Sequence, residues 1–183
     1  MTTTPVAHHY NVLFLCTGNS ARSILAEALL NTLGAGRFTA YSAGSHPGGQ
    51  VQPIAAELAR GLGYDAARLR SKSWDEFTAP DAPRMDFILT VCDSAAGESC
   101  PLWPGHPATA YWGVPDPAAV NGDEASRRVA YRDALLCLRR RIELLLALPD
   151  EKLRGLAARA ELQAIAARDA LTPRIDTTCL QPH

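Results

Sequence analysis

Cys16 and Arg22 stand at the two ends of a short polar stretch, Cys16-Thr-Gly-Asn-Ser-Ala-Arg22-Ser23. An apolar run, Val12 to Leu15, precedes it and reads as a short buried strand. From about Ser20 the pattern Ile24, Leu25, Ala28, Leu29 is helical. A cysteine that closes a strand is thus joined to an arginine at a helix start by a Gly/Asn/Ser loop. Successive N–H groups in such a loop form an anion cradle, and the helix start adds positive partial charge. Arg22 can grip two oxygens of a tetrahedral oxyanion in a bidentate fork. The same field is expected to hold Cys16 as the nucleophilic thiolate. The plainer alternative is a buried strand-end cysteine with Arg22 on the surface. The strand in front, Gly18-Asn19-Ser20 inside and Ser23 behind favour the chemical reading.

A second cysteine pair lies in Thr90-Val-Cys92-Asp-Ser-Ala-Ala-Gly-Glu-Ser-Cys100-Pro101. Its small residues leave little to pack, and a loop of that length can bring two sulfurs together. Taken alone, this is evenly balanced against a buried Cys92 and a bystander Cys100. Beside the Cys16–Arg22 loop, the redox reading gains.

The elements that must position these residues alternate. Strands are expected at 12–15, 38–42, 87–91 and 109–112, and helices at 20–34, 51–62, 72–77, 124–147 and 151–170. Val129, Leu135, Leu136, Ile142 and Leu145 are expected on the inner side of the long helix. Such alternation implies a parallel sheet covered on both faces. Active sites on such sheets lie at the carboxyl ends of the strands, where Cys16, Cys92 and Asp116 would all sit. Residues 1–148 form the expected catalytic domain. Residues 149–183 break away at Leu148-Pro149 as a helical extension and irregular tail, packed on the core or frayed rather than dimerising.

Bulk properties exclude several classes. Across 183 residues the net charge is −1, which argues against nucleic acid and anionic membranes as partners. No apolar run approaches the ~20 residues that span a bilayer, and Met1 to Tyr10 lacks the features of a signal peptide. Five cysteines without a C-x-x-C pair do not resemble a secreted disulfide framework, so a cytoplasmic location is expected. Cys137 reads as a core filler, Cys179 as incidental, and His46 and His106 as poor candidates for a base.

The Cys16–Ser23 loop resembles that of the low-molecular-weight protein tyrosine phosphatases and the arsenate reductases built on the same fold, over roughly residues 10–148. The phosphatases usually carry a second cysteine before the arginine, where this chain has Ala21; the pattern Cys-Thr-Gly-Asn-Ser-x-Arg-Ser is similar to the reductase branch. Cys100-Pro-Leu-Trp-Pro104 resembles the reductases' redox loop, although the two cysteines stand slightly further apart than in the best-known thioredoxin-coupled members. Asp116-Pro117-Ala118 stands where the phosphatases have Asp-Pro-Tyr, and the missing aromatic favours a small inorganic anion over phosphotyrosine.

The resemblance implies an α/β fold: a three-layer, four-stranded parallel sheet flanked by helices, here with an appended C-terminal helix. It implies reduction of arsenate to arsenite. Thr17, Gly18, Asn19, Ser20, Ala21, Arg22 and Ser23 would hold the anion, for which phosphate or sulfate can compete. Cys16 would be the nucleophile, Asp116 the general acid, and Cys92 and Cys100 the disulfide relay. Thioredoxin, ahead of glutaredoxin with glutathione, would close the cycle, with no organic cofactor. The reductases can also hold a potassium ion, here through Asn19, Glu27, Ser42 and Asp75; the plainer alternative is that Asn19 and Ser42 only brace the loop. Two other functions stay open: a phosphatase whose Cys92 and Cys100 protect the nucleophile, and a non-catalytic thiol module for arsenite or a soft metal. The module would have no need of Arg22 or Asp116.

Overall fold

The structure, a computed structural model, describes residues 8–93, 101–154 and 157–171. Four strands, β1 (Tyr10–Cys16), β2 (Phe38–Gly44), β3 (Phe87–Thr90) and β4 (Ala108–Tyr111), pair in parallel in the order β2-β1-β3-β4. The chain therefore leaves β1 towards β2 on one side and reaches β3 on the other. The loops after β1 and β3 diverge at this switch point, where an open parallel sheet offers a crevice.

Helices α1 (Arg22–Leu33), α2 (Pro53–Gly61), α3 (Glu124–Leu146), α4 (Asp150–Leu153) and α5 (Ala157–Leu171) complete the fold. Alternate β1 side chains, Val12 and Phe14, join one buried cluster with residues of α1, α2, α3 and α5. Leu13 and Leu15 point the other way, into a second cluster with Phe77, Met85 and Ile88, against which Trp74 and Trp103 pack. Both faces of β1 are thus covered, as its continuous apolar run requires. No helix among the described residues is long and apolar enough to cross a membrane.

Three details differ from the sequence reading. Residues expected as a helix at 72–77 form a 3-10 turn, Trp74–Phe77, capped by Ser73. Pro80, shortly beyond, disfavours helical backbone at Ala79 and stops any extension. The helix expected over 151–170 is interrupted: Arg154 ends α4 in extended conformation (φ −104°, ψ 142°), and Gly155 follows in the sequence. On α3 the inner stripe is Tyr131, Ala134, Leu138, Ile142 and Leu145, while Val129 (52% exposed) and Leu136 (49%) face outward. Tyr131 and Ala134 open a near 3.6-residue period that Val129 and Leu136 do not share.

Helix α5 is part of the core. Leu162 and Ile165 are buried in the main cluster beside Trp112 and Leu138, and the Trp112 indole N–H donates to the Leu162 carbonyl at 2.9 Å. Cys137, buried on α3, is in a disulfide rather than serving only as a core filler.

Candidate active site

The loop between β1 and α1 is shaped by its carbonyls. Those of Cys16, Thr17, Gly18 and Ser20 accept N–H bonds from Ser45, His46, Gly48 and Gln52 at 2.9 to 3.3 Å, and Gly18 also accepts from the Ser71 hydroxyl. In a planar peptide the N–H points opposite its C=O. Carbonyls turned outward therefore leave the amides of Thr17, Gly18, Asn19 and Ala21 turned towards the mouth of the loop.

Asn19 makes the turn in the left-handed region (φ 44°), which asparagine tolerates better than most residues. Both polar atoms of its buried amide are bonded: Oδ1 accepts from the Lys72 N–H, and Nδ2 donates to Ser23 Oγ, each at 2.9 Å. Gly44 lets β2 approach this loop, because a Cβ there would fall 2.4 Å from the Thr17 carbonyl oxygen.

The two nearest cysteines meet at this mouth. Leu15 and Thr90 are register partners on neighbouring parallel strands, so the chain continuations carry Cys16 and Cys92 out side by side. Cys92 Sγ accepts the Thr17 N–H at 3.2 Å and lies 3.6 Å from its hydroxyl. Both cysteines are buried free thiols. The hydrogen bond with Cys92, and then burial, push the Cys16 thiol well above the ordinary thiol range, against the pull of Arg22 and the Gly18 N–H. This direction runs against the expected Cys16 thiolate: the contact with Cys92 and burial favour the thiol form.

Arg22 faces the loop after β4. Its Nη1 donates to the Val114 carbonyl at 3.1 Å, and its Nη2 pairs with Asp116 Oδ2 at 3.2 Å. Its Nε is buried without a hydrogen-bond partner, an N–H of the guanidinium open to a ligand. Asp116 Oδ1 caps the following 3-10 turn by accepting from the Ala118 N–H at 3.0 Å. Two buried cysteines, inward amides and an Arg–Asp pair thus converge at the carboxyl ends of β1, β3 and β4. Cys100 lies outside the described residues.

The profile of the family "Low molecular weight phosphotyrosine protein phosphatase" matches residues 11–158. The chain belongs to this family. The arsenate reductase of Shouchella clausii is 32% identical to it over 121 residues, 66% of this chain and 84% of the relative. That of Bacillus subtilis is 34% identical over 116 residues, 63% of this chain and 80% of the relative. The crystal structure of an arsenate reductase from Archaeoglobus fulgidus matches with a TM-score of 0.58 at 31% identity, over 75% of this chain and 99% of its own.

In this phosphatase-family chain a lysine stands beside two of the four residues expected around potassium. The ammonium of Lys72 lies 3.7 Å from Glu27 and 3.5 Å from the Ser42 hydroxyl, and the Ser42 hydroxyl donates to Glu27. Asp75 is exposed and turned to the Ser73 hydroxyl at 3.1 Å, and Asn19 is spent on Lys72 and Ser23. A cation already stands among these oxygens, covalently attached. Burial raises the Glu27 carboxyl and lowers the Lys72 ammonium from their ordinary values, and each opposes the other's shift.

With side chains only 7% and 8% exposed, Lys72→Met leaves Glu27 without its charge partner. It is expected to destabilise the protein by about 3 kcal/mol. Adding Glu27→Gln should restore most of that loss in urea unfolding; a single variant as stable as wild type would remove the pair from the account.

Sequence reasoning missed Lys72 and the carbonyl of Val114. Neither carries a spacing signal, since each reaches the site from a distant segment.

Proposed function

We propose that this chain reduces arsenate to arsenite through a cysteine relay. Arsenate enters the loop of residues 17–22 and meets the inward amides and Arg22. Cys16 sulfur attacks arsenic, and the proton it gives up passes through the Asp116 carboxylate to the departing hydroxide, which leaves as water. Cys92 sulfur then attacks Cys16 sulfur. The S–As bond breaks with its electron pair going to arsenic, which leaves as arsenite carrying the proton that Cys92 gives up, and the two sulfurs become a disulfide. Cys100 attacks Cys92 and frees Cys16 as a thiol, and an external dithiol, thioredoxin or glutathione with glutaredoxin, reduces the Cys92–Cys100 bond. The observation that carries this reading is the seat of Cys92, hydrogen-bonded to the nucleophile and to the first loop amide. A hydrolase needs no second thiol for its chemistry and could use one there only to protect the nucleophile. The names of the curated relatives support the same reading.

The test is arsenate-dependent NADPH oxidation with thioredoxin and thioredoxin reductase, repeated with glutathione and glutaredoxin. Turnover in either system identifies the reductant. Silence in both, with p-nitrophenyl phosphate cleaved, gives the phosphatase reading that the family name favours. Arsenite bound without turnover gives the thiol module. Equal rates in potassium and sodium salts are expected, because Lys72 already neutralises Glu27; a potassium-specific stimulation would return an ion to the scheme.

Asp116→Asn separates proton transfer from binding. It should lower turnover on the order of 100-fold. It should not weaken arsenate binding, since it removes an anion now paired with Arg22. A KM raised as much as kcat falls would make Asp116 a binding group instead.

A further inference from the structure

The loop that carries Asp116 is tied to the rest of the fold from two sides. On the sheet side, Trp112 and Val114 donate N–H bonds to the carbonyls of Thr90 and Val91 at 2.7 and 3.0 Å. On the helical side, Arg141 of α3 donates from Nη1 to the carbonyls of Trp112 and Gly113, the latter at 2.9 Å. That guanidinium is buried (6% exposed) and is matched by Asp169 of α5 (3% exposed), whose Oδ2 accepts from Arg141 Nε at 3.1 Å. The Trp112 indole bond to Leu162 is a second tie from the same helix. Most of α5 lies beyond residue 158, where the match to the family profile ends.

We propose that Arg141 and Asp169 are positioning residues for the acid-bearing loop, and that helix α5 therefore acts on the catalytic centre although it contributes no group to it. The inference rests on the reading of Asp116 as the acid. A buried guanidinium needs both a counter-charge and acceptors for its N–H groups. Asp169 supplies the charge, and the carbonyls of Trp112 and Gly113 supply acceptors, so the position of α5 and the course of residues 112–114 are set together. The next carbonyl along, Val114, receives Arg22, and Asp116 pairs with the same guanidinium. A shift at Gly113 is thus passed to both the anion-binding arginine and the acid. Chemistry that depends on near-contact geometry is sensitive to displacements of about 1 Å.

The test compares wild type with Asp169→Asn, which keeps shape and an oxygen acceptor but removes the charge, and Asp169→Glu, which keeps the charge. Hydrogen exchange should quicken on the order of tenfold at the amides of Trp112, Gly113, Val114 and Asp116 in Asp169→Asn, with those of β1 and α1 unchanged. In arsenate turnover kcat should fall on the order of tenfold with KM within about twofold, and Asp169→Glu should recover most of both effects. Should Asp169→Asn fold poorly, Trp112→Phe cuts the other tie to α5 and is expected to loosen the same amides. Unchanged exchange at residues 112–116, or exchange that rises uniformly along the chain, overturns the proposal. So does a kcat equal to wild type in a protein whose loop amides have loosened. A wild type that reduces no arsenate overturns the functional reading alone, because the exchange comparison needs no turnover.

Discussion

Cys16→Ser is expected to abolish arsenate reduction, with a loss on the order of 10,000-fold or more. The serine hydroxyl ionises far above any working pH and forms no disulfide, so both attack on arsenic and the subsequent transfer of an electron pair to it are lost. The binding loop should survive, because its shape comes from outward carbonyls and the Asn19 side chain rather than from the sulfur. Inorganic phosphate binding, measured by titration calorimetry, should therefore stay within a few-fold of wild type. Residual arsenite production in Cys16→Ser above the background rate of free thiol would move the nucleophile elsewhere.

Cys92→Ala is expected to halt turnover after formation of the Cys16–arsenic adduct, since the sulfur that would displace arsenite is missing. Mass spectrometry should find the adduct, and steady-state arsenite release should fall at least 100-fold. The same substitution has a second effect of opposite sense. The hydrogen bond with Cys92 is the largest cause of the raised Cys16 thiol, ahead of burial, so its removal lowers the pH at which Cys16 ionises. The Arg22 charge and the Gly18 N–H, which already pull that way, then act with less opposition. Alkylation of Cys16 by iodoacetamide, followed against pH, should rise at lower pH in Cys92→Ala than in wild type. In wild type the rate should keep climbing above the ordinary thiol range. Coincident profiles would mean that Cys92 does not govern the nucleophile, and would weaken the relay along with the pKa argument.

These two variants also bear on how Cys16 works from a resting thiol. Cys92 now takes the Thr17 N–H, the first amide of the cradle, and Arg22 is held by Val114 and Asp116. An entering oxyanion offers acceptors for both sets of donors and so competes with contacts made within the protein. Binding and activation are expected to be coupled in this arrangement: an anion that displaces Cys92 from the Thr17 amide should also disturb the contact that raises the Cys16 thiol.

The sequence by itself determined the parts of this protein that are local. The strand-loop-helix around Cys16 and Arg22 spans about a dozen residues, and its apolar run, turn residues and helical period are all adjacent in the chain. The alternation of elements was enough for a parallel sheet, and a parallel sheet is enough to bring Cys16, Cys92 and Asp116 to one edge. What only the tertiary structure decided are the contacts between segments far apart in the chain. Whether Cys92 faces Cys16 depends on strand register. The balance at Cys16 depends on that contact, because the pull of Arg22 and the Gly18 N–H within the loop is opposed by Cys92 and by burial. Lys72 reaches Glu27 and Ser42 because a segment before the Trp74–Phe77 turn passes them, and no periodicity reports such a crossing. The sequence leaves helix α5 as an extension packed on the core or frayed, because its buried charge, Asp169, gains meaning only from Arg141 on another helix. Hydrophobic period reports which side of an element is buried; the pairing of buried charges and thiols is set by what the fold places opposite them, and that is a property of the whole chain.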